Sequence, residues 1–177
     1  MRPRQRFYFP KVVIRFGVAA LIAFVLQVVV VEAPLGLTEA ARRTLLVASY
    51  VLLLGFVLLN LRRPGLAIIG LGLLLNFLAI VTNGGLMPIS PQNLERSGLP
   101  KEEVSLGDWV PNSKDVLLAR DDTNLWFLTD ILVWKNPSGV NAFSVGDVII
   151  GAGLVITLGE LFLPRVQRVS RGRPSPT

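Results

Sequence analysis

The side chains able to do chemistry are few. Asp130 and Asp147 border apolar stretches, Glu160 lies inside one, and Gln27, Asn76 and Thr157 are polar interruptions of others. Facing carboxylates can act as acid and base, so Asp130 and Asp147 form a candidate enzymatic pair if they flank the mouth of a helix bundle. Asn76, Gln27 and Thr157 could line a small polar cavity. Asp121, Asp122 and Asn124 offer oxygen ligands without the spacing and glycine of an EF-hand; a solvated turn is expected there, with no metal. The chain has no histidine and no cysteine. It therefore offers no imidazole for haem, no thiolate for iron–sulfur and no Cys/His zinc site. It also lacks a His-assisted or Cys nucleophile and any disulfide. No catalytic residue and no cofactor is expected.

These residues must be positioned by membrane helices. Half of the 177 residues are hydrophobic (51%) and only 17% are charged, with a mean hydropathy of +0.57, too apolar for an ordinary soluble domain of this length. The fold class expected is an all-α membrane protein: a four-helix transmembrane bundle with a long, partly structured extracytoplasmic loop. Residues 1–11 are a basic cytoplasmic N-terminus, and residues 12–82 hold three spans, about 12–31, 44–61 and 64–82. Residues 83–142 are the loop, 143–163 the fourth span, and 164–177 a basic flexible tail. The first apolar run resembles a signal peptide, but its length and Pro34 point to an uncleaved helix.

Charge sets the orientation. The basic residues of the N-terminus, Arg62 and Arg63, and the Arg-rich tail fall on one side of a four-span chain, whereas residues 83–142 carry more acids than bases. Lys and Arg accumulate on cytoplasmic flanks, so both termini are expected in the cytoplasm of a bacterial cell and the protein in its inner membrane. Arg42 and Arg43 fall on the wrong side of this scheme. The net charge of +6 lies at chain ends and span flanks rather than in a groove, so no nucleic acid is expected.

Gly65, Gly72, Asn76 and Ala79 recur on one helix face, as do Gly146, Gly153 and Thr157, with Ala41, Ala48 and Gly55 in the second span. Small residues let membrane helices approach closely, so these are assigned to helix packing. Glu160 lies toward Arg165 and Arg168 and is expected to pair with them. Phe143-Ser144-Val145-Gly146-Asp147-Val148 reads as a helix start, Ser144 and Asp147 forming a capping box and Phe143 stapling onto Val148. Ser90-Pro91 opens a short helix. All three tryptophans, Trp109, Trp126 and Trp134, lie in the loop with Phe127, and residues 125–134 are expected to lie along the interface or fold over the bundle mouth. These aromatics are the candidate partner surface.

Asn83-Gly84-Gly85-Leu86-Met87-Pro88, Phe127-Leu128-Thr129-Asp130 and Phe143-Ser144-Val145-Gly146-Asp147, in that order, resemble the motifs of an uncharacterised bacterial membrane-protein family, a domain of unknown function. The match covers most of the chain after Val12. It departs at the start, where the family carries another apolar segment and this chain has the basic stretch Met1 to Pro10. The resemblance implies a fold and a membrane location but no activity. The expected function is a non-catalytic structural or accessory subunit that docks onto another membrane protein. The alternative is a small transporter or lipid-handling protein using Asn76, Thr157 and Glu160, and an enzyme built on Asp130 and Asp147 ranks third.

Overall fold

A computed structural model describes residues 5–8, 14–32, 37–97, 104–111, 113–136, 139–163 and 165–168. The chain is mostly helical, its longer helices being α1 (Gly17–Glu32), α2 (Glu39–Leu58), α3 (Pro64–Thr82) and, after a long excursion, α5 (Val145–Phe162). Three of them, α2, α3 and α5, are long and apolar enough to cross a membrane, and the chain is a membrane protein. At 16 residues, α1 is roughly 24 Å long against the roughly 30 Å of a bilayer's hydrocarbon core. It nevertheless runs antiparallel to α2 along most of that helix's length. Asn60 pairs with the Arg15 backbone at one end, accepting from its N–H and donating to its carbonyl (3.0 Å each). Arg42 donates to the Val30 carbonyl at the other.

The second helix starts earlier than its apolar run. Thr38 caps it, its hydroxyl accepting from the Ala41 N–H, and Glu39, Arg42 and Arg43 occupy the first turns. Pro64 begins α3 at a position where its missing N–H costs nothing. The turn that follows α3 uses both glycines at positive φ, which lets the Gly85 N–H reach back to the Ile80 carbonyl at 2.8 Å.

The described residues between 83 and 143 then build a cap over one end of these helices. Strand β2 (Met87–Ile89) pairs in parallel with β3 (Asp115–Leu117), with the short helix α4 (Pro91–Arg96) in the crossover, capped by Ser90. A 3-10 turn at Trp126–Leu128 leads to the hairpin β4 (Leu132–Asn136) and β5 (Gly139–Phe143), which feeds directly into α5. The apolar core is continuous from bundle to cap, with Leu46, Tyr50, Leu73 and Ile80 packed in one cluster with Leu86, Met87 and Val116. Ile89, Leu94, Val110 and Leu117 form a smaller core inside the cap.

At the opposite end β1 (Gln5–Tyr8) pairs antiparallel with β6 (Arg165–Arg168). The start of the expected flexible tail is therefore a paired strand, because backbone donors and acceptors of the two flanks satisfy one another there. Residues 169–177 lie outside the described residues.

Candidate functional site

The two helix faces read from glycine spacing meet each other. A methyl placed on Gly72 would lie 2.5 Å from the Gly146 carbonyl oxygen, and one on Gly153 would lie 2.7 Å from the Ile69 nitrogen and 2.8 Å from the Gly65 oxygen. Gly65 packs on Thr157 and Gly146 on Asn76, so α3 and α5 run antiparallel at backbone contact, and Ala79 is fully buried beyond them. The third stripe has no such role. Ala48 is exposed and a side chain at Gly55 would meet open space; α2 packs instead through Leu46, Ser49, Tyr50 and Val57.

Where the α3–α5 seam meets the cap, polar groups from separate parts of the chain converge. Asn76, fully buried in α3, donates to Asp147 Oδ1 (2.7 Å) and accepts from the Ser144 hydroxyl (2.7 Å). The capping box is complete, the Asp147 N–H donating to Ser144 Oγ (2.9 Å) and the Ser144 N–H to Asp147 Oδ2 (3.1 Å). The same Oδ2 accepts from Lys114 Nζ at 3.1 Å. Lys114 also faces Asp130 Oδ1 at 3.7 Å, and Asp130 is 1% exposed. Asp115 and Asp130 hydrogen-bond through their carboxyl groups, and Tyr50 adjoins the cluster from α2.

Burial pushes the Asp115 carboxyl up to about 6, against the pull of Lys114. Burial raises Asp130 as well, with Asp115 adding repulsion against the same lysine. Burial works against the Lys114 charge, but Asp130 and the other surrounding acidic groups outweigh it and hold the ammonium above its ordinary range. The two carboxyls titrate as a unit, and a single shared proton would still leave them one negative charge, which together with that of Asp147 faces the Lys114 ammonium. One remaining oxygen on each of Asp115 and Asp130 has no hydrogen-bond partner. The arrangement is an electrostatic clasp between cap and bundle. The clefts walled by Trp126, by Arg43 and by Trp134 do not include these acids or Lys114.

Asp130 and Asp147, read from sequence as a possible pair, are thus brought together through Lys114, which sequence reasoning missed along with Asp115 and Tyr50. Asn76 and Thr157 are not brought together. Thr157 packs on Gly65, eleven residues or roughly 16 Å along α3 from Asn76, and its hydroxyl donates to the Gly153 carbonyl at 2.8 Å. Glu160 accepts from the Gly65 N–H at 3.2 Å, and its expected pairing with Arg165 and Arg168 falls on side chains outside the described residues. The first turn of α3 has unpaired N–H groups and a positive dipole end, which a carboxylate from the neighbouring helix satisfies. Gln27 has a buried amide nitrogen without a partner.

The aromatics divide. Trp109 turns inward, its indole N–H donating to the Ser113 carbonyl (2.7 Å) and its ring lying 3.7 Å from the Arg42 guanidinium. Trp126 and Phe127 meet edge to face and remain exposed, as does Trp134 at 67%. Asp121 and Asp122 are exposed, while Asn124 is bound to the end of α3: its N–H donates to Asn83 Oδ1 (2.8 Å) and its amide to the Thr82 carbonyl (3.0 Å).

A family model described as a family of unknown function, DUF5317, matches residues 11–158. The chain belongs to that family. The resemblance to an uncharacterised family is borne out, and the matched span of this DUF5317 member encloses the clasp and the glycine contacts between α3 and α5. No curated protein and no solved structure matches the chain.

Proposed function

We propose that this DUF5317 protein is a non-catalytic accessory subunit of the bacterial cytoplasmic membrane that packs against an apolar helix of another membrane protein along α5. One observation carries the reading. Only 11% of the spanning stretch of α5 is buried, against 44% of α3, and its bare face runs without interruption into a groove of about 400 Å³ walled by Leu132, Trp134, Phe143 and Val148. A partner helix seated on α5 would end under Trp134, and exposed aromatics are favoured anchors in such contacts. The clasp supports the same reading, because it fixes the cap rigidly enough to present a defined surface.

Four crossings with both termini cytoplasmic belong to this reading. The pairing of β1 with β6 supports it, since an even number of crossings returns both flanks to one side, and so does the position of α1 beside α2. The alternative, a small transporter or lipid-handling protein, would use Asn76, Thr157 and Glu160 together. They lie at opposite ends of a seam closed by glycine contacts, so no observation favours it.

Photo-crosslinking residues placed in living cells at positions 134, 155 and 51 test the proposal. Val155 and Val51 are both exposed on spanning helices, yet only 134 and 155 should give an adduct, and with the same protein. Equal adducts from position 51, or none from any site, would overturn it.

A further inference from the structure

A second cleft, of about 440 Å³, opens on another flank of the cap, with Ser90, Gln92, Arg120, Thr123 and Trp126 in its wall. It shares only Ile131 with the groove beside α5. We propose that this cleft binds a phosphate ester, with Arg120 holding the phosphate and Trp126 covering the adjoining organic part. No carboxylate is in its wall; Asp121 and Asp122 are exposed neighbours in sequence that do not line it.

Arg120 is arranged for this. Its guanidinium lies over the Trp126 ring, 3.7 Å from the centroid, a stacking that uses the flat face and leaves the N–H edge for an oxyanion. Among the described residues the Arg120 side chain has no hydrogen bond or ion pair. Trp126 is 41% exposed, and its indole N–H and the Gln92 amide are likewise without partners among the described residues. The cleft therefore combines unused donors on Arg120, Trp126 and Gln92 with a wall free of carboxylates, a balance that suits a phosphate.

Its place in the molecule suggests where the phosphate comes from. Leu125 adopts a left-handed conformation at φ 50°, costly for a branched side chain. It is held there on one side by Asn124, which Asn83 and Thr82 bind to the last turn of α3. This turn delivers Trp126 and Phe127 beside the end of α3, a helix long and apolar enough to cross a membrane, and tryptophan is favoured at the headgroup level where such helices end. A phospholipid headgroup and a soluble phosphate ester present the same chemistry to Arg120, and the lipid is the source nearest at hand. The inference stands apart from the contact proposed along α5.

The test uses the purified full chain in detergent micelles, with retained lipid read by native mass spectrometry and Trp emission followed during titration. The probes are dioleoylphosphatidylglycerol, uncharged dioleoylglycerol and glycerol 3-phosphate. Phosphatidylglycerol should bind saturably and dioleoylglycerol should not. Arg120→Ala should weaken binding about tenfold or more, as loss of a charge-assisted contact implies, and Gln92→Ala should weaken it less, both with unchanged thermal unfolding. Competition by glycerol 3-phosphate would support the site and assign it to soluble esters as well as lipid; binding without competition would support it and assign the lipid. Equal retention of phosphatidylglycerol by Arg120→Ala and the parent chain, or equal retention of dioleoylglycerol, would overturn the proposal.

Discussion

Among the described residues Lys114 is the one cation paired with Asp130 and Asp147, and removing it leaves buried carboxyls without that counter-charge. Breaking such a pair costs on the order of 3 kcal/mol, so Lys114→Met should release the cap. The measurable sign is rapid proteolysis of residues 83–143 while the bundle fragment stays intact; unchanged protease resistance would mean the apolar core alone holds the cap. Asp115 gives a pH signature. Its folded carboxyl is raised to about 6 from an ordinary 3.8, so the folded state favours the protonated form more than the unfolded chain does. That contribution is fully present below about pH 4 and is lost as pH rises toward 6, above which the fold carries an ionised buried acid. Asp115→Asn should therefore flatten the dependence of melting temperature between pH 4 and 6 and raise stability at pH 7. Parallel melting curves for the two proteins would rule this out. Asp130 and Asp147 could be singled out in the sequence because each is an acid beside an apolar run. Lys114 could not, because it sits in an unremarkable polar turn and acquires its role only when Met87 pairs with Asp115, a contact without sequence periodicity.

Helix spacing was more legible than helix neighbours. Intervals of seven placed Gly65 with Gly72 and Gly146 with Gly153, and the two rows meet because antiparallel α3 and α5 bring small residues into register. An equal interval on α2, through Ala41, Ala48 and Gly55, leads to no close contact, since periodicity defines a face and not what lies across from it. The 3-10 turn and short strands of the cap were hidden for a related reason: residues 125–134 are apolar enough to read as one interfacial stretch, but Asn124 before it and the buried Asp130 within it pin it and fold it. The seam makes a sharp prediction. Gly72→Leu would drive its side chain into the Gly146 carbonyl and the Ile150 backbone, which cannot yield as a flexible side chain would. A loss of about 3 kcal/mol is expected from overpacking of this kind, seen as a lower melting temperature in detergent. Ala152→Leu, on the exposed side of α5, should be neutral. Equal melting of the two variants would remove the seam as a source of stability.

For the molecule as a whole, the decisive question is which end faces the cell interior. Arg42 and Arg43 stand at the cap end and oppose the charge rule, but neither is a free flanking cation. Arg42 is buried between the Val30 carbonyl and the Trp109 ring, and Arg43 bonds Glu39 and the Gly84 carbonyl. The exposed Arg62 at the opposite end is unconstrained in this way, and orientation follows such juxtamembrane charges. Because the chain has no native cysteine, single cysteines report the sides without background. Leu106→Cys, exposed in the cap, should react with a membrane-impermeant maleimide in intact cells. Arg62→Cys, in the turn between α2 and α3, should react only after the cells are opened. Gln5→Cys decides the status of α1: protection like that of Arg62→Cys means that α1 crosses and the bundle has four spans. Labelling together with Leu106→Cys would contradict the pairing of β1 with β6 and overturn the four-span reading, and reversed labelling at Leu106→Cys and Arg62→Cys would invert the orientation altogether.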